Sequence, residues 1–401
     1  MNFVFASDSF KGTLSSEQTA ALLTEAAKKM FPDAGCRSVP VADGGEGTVD
    51  AVLHATDGKK IPASVHGPYM ERLDTFYGAL QGQKAIIGVS DASGLLLLDH
   101  ERRSPLFTTS YGTGELIRAA LDAGYRDISI AAGGSASNDG GIGCLQALGV
   151  KFLDKKGNEL RGTGANLRYI SQIDLSSLLP SAKEATFTIL CDVDTPLCGP
   201  HGTTYSFGGK KGGSRPMLDE LEHGMKNYAD VLARTFSGVS ASSGKEQGFE
   251  TLPGGGAGGG LAAAFHAFFG AELKRGIDGV LDLIGFDSIL DHADCIITGE
   301  GRADSMSVYG KVMSGVGRRG HARGIPVFAI VGSMGAGAEE IYACGVDSMI
   351  TTVNAAMPIE DAMKQAEVLY RNAADRLMRI LRVGYDLCNR RLGGQAPESI
   401  R

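Results

Sequence analysis

An α/β fold in two domains, one of them discontinuous, is predicted by three features of this 401-residue chain. The length exceeds the roughly 250–300 residues at which a single core usually stops growing. Strand-like apolar runs alternate with helical patterns near both ends, the order expected of parallel α/β units. Between them the pattern changes to short strands joined by turns, as an inserted domain would produce.

Taken in order, Phe3 to Ala6 reads as a buried strand. Ser15 and Gln18 have capping-box spacing, and Ala20, Leu23, Ala27 and Met30 recur at helical spacing, so a helix is expected over Ser15 to Met30. Arg37 to Val41 reads as the next strand and Gly47 to His54 as the next helix. Ile61 to Val89 reads as short strands with turns, Asp127 to Ala132 and Thr186 to Leu190 as buried strands, and Leu261 to Phe269 as an apolar helix. Ala293 to Thr298, Pro326 to Val331 and Ser348 to Val353 resume the strand–helix alternation. The expected division is a discontinuous α/β domain at 1–80 plus 292–388 and an inserted α/β domain at 81–291. The polar, unpatterned tail 389–401 is expected to be loose. Two such domains leave a cleft, a common site for small ligands.

Composition narrows the function. The chain is 43% hydrophobic and 21% charged, ordinary for a globular protein, but its 57 glycines are roughly twice the usual share of about 7%. A net charge of −7 without a basic run argues against a nucleic-acid or anionic-membrane partner. No apolar run approaches the ~18 residues of a membrane span, and the chain opens on a strand-like segment, so a cytoplasmic protein is expected. Seven cysteines without CxxC spacing read as reduced packing residues.

Many of the glycines gather in loops that also carry carboxylates. Pro40-Val-Ala-Asp-Gly-Gly-Glu-Gly-Thr48 follows a strand, with Asp43 and Glu46 positioned either for metal or proton chemistry or to favour the next helix. Asp8-Ser-Phe-Lys-Gly12 also follows a strand, placing Asp8, Ser9 and Lys11 at its carboxyl end. The turn Gly133-Gly-Ser-Ala-Ser-Asn-Asp139 offers amides and hydroxyls to a phosphate through Gly133, Gly134, Ser135 and Ser137. In Cys191-Asp-Val-Asp194 the carboxylates of Asp192 and Asp194 would project to one side of an extended chain, an arrangement suited to Mg²⁺. Gly208-Gly-Lys-Lys-Gly-Gly213 reads as a mobile cationic loop or an exposed linker. Gly254, Gly256 and Gly259 form a GxGxxG, but a polar segment precedes them, so the dinucleotide reading fails; the turn could still bind an anion. Glu300, Arg302 and Asp304 cluster at the end of a late strand, where Arg302 could clamp an anion or pair with a neighbouring acid. No GxxxxGK[ST] occurs, which excludes a P-loop enzyme, and no histidine lies in a nucleophile-elbow or metal-pair pattern.

Six segments in order, Ser7 to Ser15, Pro40 to Thr48, Tyr111-Gly-Thr-Gly-Glu115, Gly133 to Gly141, Cys191-Asp-Val-Asp-Thr-Pro-Leu197 and Gly299-Glu-Gly-Arg302, resemble the bacterial type I glycerate kinases over nearly the whole chain. Phe207-Gly-Gly-Lys-Lys211 departs from the more usual Phe-Gly-Pro-Gln-Lys, and Ala303-Asp-Ser-Met-Ser307 is unusual after Gly-Glu-Gly-Arg. The resemblance implies ATP-dependent phosphorylation of glycerate, at the 2-hydroxyl, and the glycerate kinase I fold, a flavodoxin- or Rossmann-like domain paired with a second α/β domain. Phosphoryl transfer needs charge neutralisation, positioning and a base. On that reading Asp192 or Asp194 with Glu300 would hold Mg²⁺, and the loops at Gly133, Gly134, Ser135 and Ser137 and at Gly254, Gly255 and Gly256 would cradle ATP. Lys11 would steady the transferred charge, and Asp43 or Asp194 would take the hydroxyl proton. Asp8, Ser9, Lys11 and Arg302 would contact glycerate. A metal-dependent phosphatase and a non-catalytic binding regulator stay open as alternatives, as does homo-oligomerisation.

Overall fold

The computed structural model describes residues 1–10, 12–236 and 248–391. Among them are the strands β1 (Asn2–Ser7), β2 (Gly35–Ser38), β3 (Lys59–His66), β4 (Arg72–Ala79), β5 (Lys84–Gly88), β6 (Asp127–Ala131), β7 (Lys151–Leu153), β8 (Gln172–Asp174), β9 (Thr186–Leu190), β10 (Glu272–Lys274), β11 (Cys295–Ala303), β12 (Val327–Met334) and β13 (Ser348–Thr351). The chain divides into two compact units, Met1–Val41 with Leu281–Arg401, and Ala42–Val280.

In the smaller unit the strands form an all-parallel sheet in the order β13-β12-β11-β1-β2. Numbered within the unit, that order is 2-1-3-4-5, the flavodoxin-like doubly wound arrangement, whose ligand crevice lies at the switch point between its first and third strands. Alternation along the strands sorts side chains to two faces. Phe3, Phe5, Ile297 and Ile330 pack with Leu23, Ala27 and Met30 of helix Ser16–Met30 and with Tyr370, Ala373 and Leu377 of helix Ala366–Arg391. Ile296, one residue out of phase, meets Gly320 of helix Val312–Ala322. The first helix begins with the expected capping box: Gln18 N–H donates to Ser15 Oγ at 3.2 Å, and Ser15 N–H donates to Gln18 Oε1 at 2.9 Å.

The larger unit holds a mixed sheet in the order β10-β9-β6-β5-β4-β3 and a two-stranded ribbon, β7-β8. Strands β5, β6, β9 and β10 run parallel, and β3 and β4 are added antiparallel. Ile128, Ile130, Phe187 and Ile189 on one face and Ser129, Ala131 and Leu190 on the other are buried, as central strands covered on both faces require. Phe187 packs edge-on against Phe265 of helix Leu261–Phe269 with ring centroids 5.2 Å apart.

Four boundaries differ from expectation. Strands β3 and β4 pair through to β5, with Gly78 opposite Ile86, so residues 42–80 belong with the larger unit and the divisions fall after Val41 and Val280 rather than after 80 and 291. Strand β11 continues to Ala303 because Glu300 and Arg302 still pair with Val331 and Ser333, so the Gly299–Arg302 motif lies within a strand. Residues 389–391 are the last turn of a helix, and the remainder of the expected tail, 392–401, lies outside the described residues.

Candidate functional site

In the larger unit the chain leaves the carboxyl ends of β5, β6, β9 and β10 at residues 89–94, 132–137, 191–194 and 275–278, and the loop 43–46 reaches the same edge. Gly133 N–H donates to the Gly44 carbonyl at 3.4 Å, and Gly276 N–H donates to Asp192 Oδ1 at 2.9 Å. A Cβ at position 276 would lie 1.9 Å from the Asp43 carbonyl oxygen, so only glycine permits this approach. Helix Thr48–Thr56 starts at Gly47 without a side-chain cap, Glu46 is exposed, and Asp43 Oδ1 accepts Gly45 N–H at 3.2 Å.

Asp43 thus lies close enough to Asp192 for its charge to act on that carboxyl. Burial pushes the Asp192 carboxyl up to about 8, with the Asp43 and Asp278 charges adding to the rise and the Gly276 amide and Arg275 opposing it. Two carboxylates held together under partial burial form a seat for a cation, because bringing one in relieves both desolvation and mutual repulsion. Arg275 and Asp278 had no signal in the sequence: β10 is three residues long, and Glu272-Leu-Lys274 lacks an apolar run.

Asp194, by contrast, is exposed where Asp192 is partly buried, and the chain bends at Asp192. Among the described residues no group of three or more His, Cys, Asp or Glu side chains is arranged to hold a metal ion. The loop after β6 brings Gly133 and Gly134 to the surface. Ser135 is buried behind them, its hydroxyl donating to the Ser137 carbonyl at 3.1 Å, and Ser137 is fully buried, so neither hydroxyl is presented outward as expected. The glycine run is also turned inward. Gly255 N–H donates to Leu252 O at 2.9 Å and Gly256 N–H to Thr195 O at 3.0 Å, and a Cβ at Gly256 would lie 2.5 Å from Pro196 O. Gly254, Gly255 and Gly256 thus seat this turn against residues 193–197 rather than offering a row of open amides.

The loop's foundation is Asp139, fully buried with four donors: Ser110 N–H at 2.8 Å, Ser110 Oγ at 2.7 Å, and the Gly141 and Gly143 amides at 3.2 Å. Burial raises its carboxyl, and those donors pull the other way. Ser110 precedes helix Tyr111–Asp122, and Glu115 within it accepts His66 N–H at 2.7 Å, so the Tyr111–Glu115 motif braces the sheet.

The smaller unit gathers the remaining candidates at its switch point. Asp8 follows β1 and donates its N–H to Gly299 O at 2.9 Å, while Asp8 Oδ1 accepts Ser9 N–H at 2.7 Å. Glu300 is buried, accepts the Ser307 hydroxyl and lies 3.9 Å from Lys311 Nζ. Burial raises its carboxyl, which Ser307 and Lys311 counter. Arg302 is largely exposed and lies 3.4 Å from Asp304. Lys11 lies outside the described residues.

The sequence model of the glycerate kinase family matches residues 3–382. The glycerate kinase of Bacillus subtilis strain 168 is 41% identical over 377 residues, 94% of this chain and 96% of that one. The glycerate 2-kinase of Escherichia coli K12 is 40% identical over 367 residues, 91% of this chain and 94% of that one. The crystal structure of a glycerate kinase 2 candidate from Salmonella typhimurium LT2 superposes with a TM-score of 0.83 at 39% identity, covering 96% of this chain and 99% of the other. With a family match that runs from the first strand into the last helix, the chain belongs to the glycerate kinase family.

Proposed function

We infer that this chain transfers the γ-phosphoryl group of ATP to glycerate, with the 2-hydroxyl as acceptor and 2-phosphoglycerate and ADP as products. One observation carries the reading: relatives named as glycerate kinases match over nine-tenths of the chain. The Asp43–Asp192 edge beside the Gly133–Gly134 turn is the place in the larger unit best suited to it. We assign the ATP phosphates to the Gly133–Gly134 turn, with the exposed Gly134 as the amide donor and Ser135 and Ser137 acting behind the turn.

Asp192 fits Mg²⁺, an oxygen-seeking ion usually held by one or two carboxylates and the nucleotide phosphates, which leaves the Asp43 carboxylate free to take a proton. When bound, the ion would neutralise charge on the phosphates. Asp43 is our choice over Asp194 as the base. The hydroxyl oxygen attacks the γ-phosphorus, its proton passes to the Asp43 carboxylate, and ADP departs with the electrons of the broken P–O bond. For Arg302, whose guanidinium is exposed, we propose contact with a carboxylate or phosphate of a ligand. Lys11, Asp8 and Ser9 keep the roles expected from the sequence, and we propose that Glu300 acts within its own unit, beside Ser307 and Lys311. No helix among the described residues is long and apolar enough to cross a membrane, and we place the enzyme in the cytoplasm.

A coupled assay with ATP, Mg²⁺ and a panel of hydroxy acids, with the product's phosphate position read by NMR, tests the reaction. ATP-independent phosphate release would replace it with a phosphatase, and ligand binding without turnover with a regulator. Asp43→Asn should lower kcat by roughly 10²-fold, as loss of a general base does; an unchanged kcat would remove Asp43 from that role.

A further inference from the structure

Lys210 and Lys211 are adjacent and oppositely placed. Lys210 is exposed, whereas Lys211 retains 6% of its surface. The turn after helix Thr203–Phe207, closed by Lys211 N–H to Gly208 O at 3.1 Å and Gly213 N–H to Gly208 O at 2.9 Å, sends the second lysine inward. Its ammonium donates to the Ser137 carbonyl at 2.6 Å and to Ser135 Oγ at 3.3 Å, and Ser135 Oγ in turn donates to that same carbonyl. Lysine is among the residues least often buried, because desolvating an ammonium is costly. Here burial pulls its pKa down to about 8, with the Asp139 charge opposing. A methionine would fill a similar space without that cost, so what distinguishes lysine here is its charge and its directed hydrogen bonds.

We propose that Lys211 is a positioning residue for phosphoryl transfer, its ammonium clamping the Gly133–Ser137 loop from behind and setting a fixed positive charge beneath the amides that meet the polyphosphate. The inference rests on our assignment of that loop to the ATP phosphates. The clamp acts twice. The two hydrogen bonds hold Ser135 and Ser137 inward and so aim Gly134 outward. The charge also favours an anion at the loop in a dry setting where it is weakly screened. Sequence alone reads this segment as an exposed linker equally well, since Lys210 and Lys211 are chemically identical.

The test measures inhibition constants of ADP, AMP and adenosine, and KM for ATP and glycerate, in the wild type and Lys211→Met. The expected result is a rise of about tenfold or more for ADP and for the ATP KM, a smaller rise for AMP, and no change for adenosine or glycerate, with about 1.4 kcal/mol per tenfold as the conversion. A shift shared by adenosine and ADP, or no shift, overturns the proposal, since a merely structural lysine would not discriminate by phosphate number. Should Lys211→Met not fold, Lys211→Gln is read by the same ratio. Gly134→Asp against Gly134→Asn separates the underlying assignment: residue 134 is exposed at φ +73°, which Asp and Asn both tolerate. If the added carboxylate does not weaken ADP relative to Asn, the loop is not the phosphate site and both readings fall. If it does and Lys211→Met changes nothing, the lysine proposal alone is overturned.

Discussion

Replacing Asp139 by alanine should be among the most damaging single changes in the larger unit, and the hydrogen-bond geometry gives the size. The carboxylate accepts three backbone amides, Ser110, Gly141 and Gly143, and the Ser110 hydroxyl, all in the interior. The hydroxyl can rotate to another acceptor, but the amides cannot. A buried donor left unsatisfied costs about 1–3 kcal/mol, so three amount to at least ~3 kcal/mol before any relief from removing a buried charge. Alanine also removes the carboxylate that opposes the depressed pKa of Lys211. Asparagine is the informative comparison. With its carbonyl in the Oδ2 position it still serves Ser110 N–H and Gly143 N–H, and its NH₂ faces only the Gly141 amide, which points to a loss of about 1–3 kcal/mol. Urea denaturation followed by far-UV circular dichroism should therefore separate Asp139→Ala from Asp139→Asn by about 2 kcal/mol or more at a common m-value. If the two variants unfold at the same urea concentration, or either matches the wild type, Asp139 is not the anchor of this loop.

Gly276→Ala should disturb the candidate site from outside the carboxylates. Its Cβ would lie 1.9 Å from the Asp43 carbonyl, so the backbone must move and the amide bond to Asp192 must lengthen; kcat should fall at least ~10-fold with secondary structure kept. Wild-type turnover there would mean the Asp43–Asp192 approach has no catalytic use. Lys211 makes a pH prediction. Its pKa in the fold is about 8 against 10.5 for the free side chain, so the unfolded chain binds more protons between those values and stability rises with pH across that window. Below pH 8 both states carry the proton and the burial cost is complete. Relative to Lys211→Met, the wild type should gain about 3 kcal/mol between pH 7.5 and 10.5, read from paired urea curves, and a constant difference would contradict the burial of a charged amine. Ser15→Ala removes the cap of the first helix and should cost about 1 kcal/mol in the same measurement, with no loss refuting the capping box.

What the sequence makes legible here follows from how far each signal reaches. The capping box of Ser15 and Gln18 is a contact between residues three apart, so it can be read locally and it forms as read. The strand Thr186–Leu190 and the helix Leu261–Phe269 are long enough in apolar character to announce themselves, whereas β10 is too short and too polar to do so. Strands β3 and β4 were visible as strands, but which sheet they join depends on pairing with β5, and no residue within residues 59–79 encodes that choice. The same limit governs the site. A glycine says that something comes close without saying what: at Gly276 it is the Asp43 backbone, which creates the carboxylate edge, and at Gly256 it is Pro196, which only closes a turn. Asp43 and Asp192 are 149 positions apart in the chain and meet through a third segment, so neither motif alone could separate capping from chemistry. Lys210 and Lys211 carry the point furthest. Composition, charge and spacing treat them alike, and only the turn from Gly208 to Gly213 decides that one meets water and the other the back of a loop. Strand-end position therefore identifies which loops are candidates, and contacts between distant segments determine which side chains within them are available for chemistry.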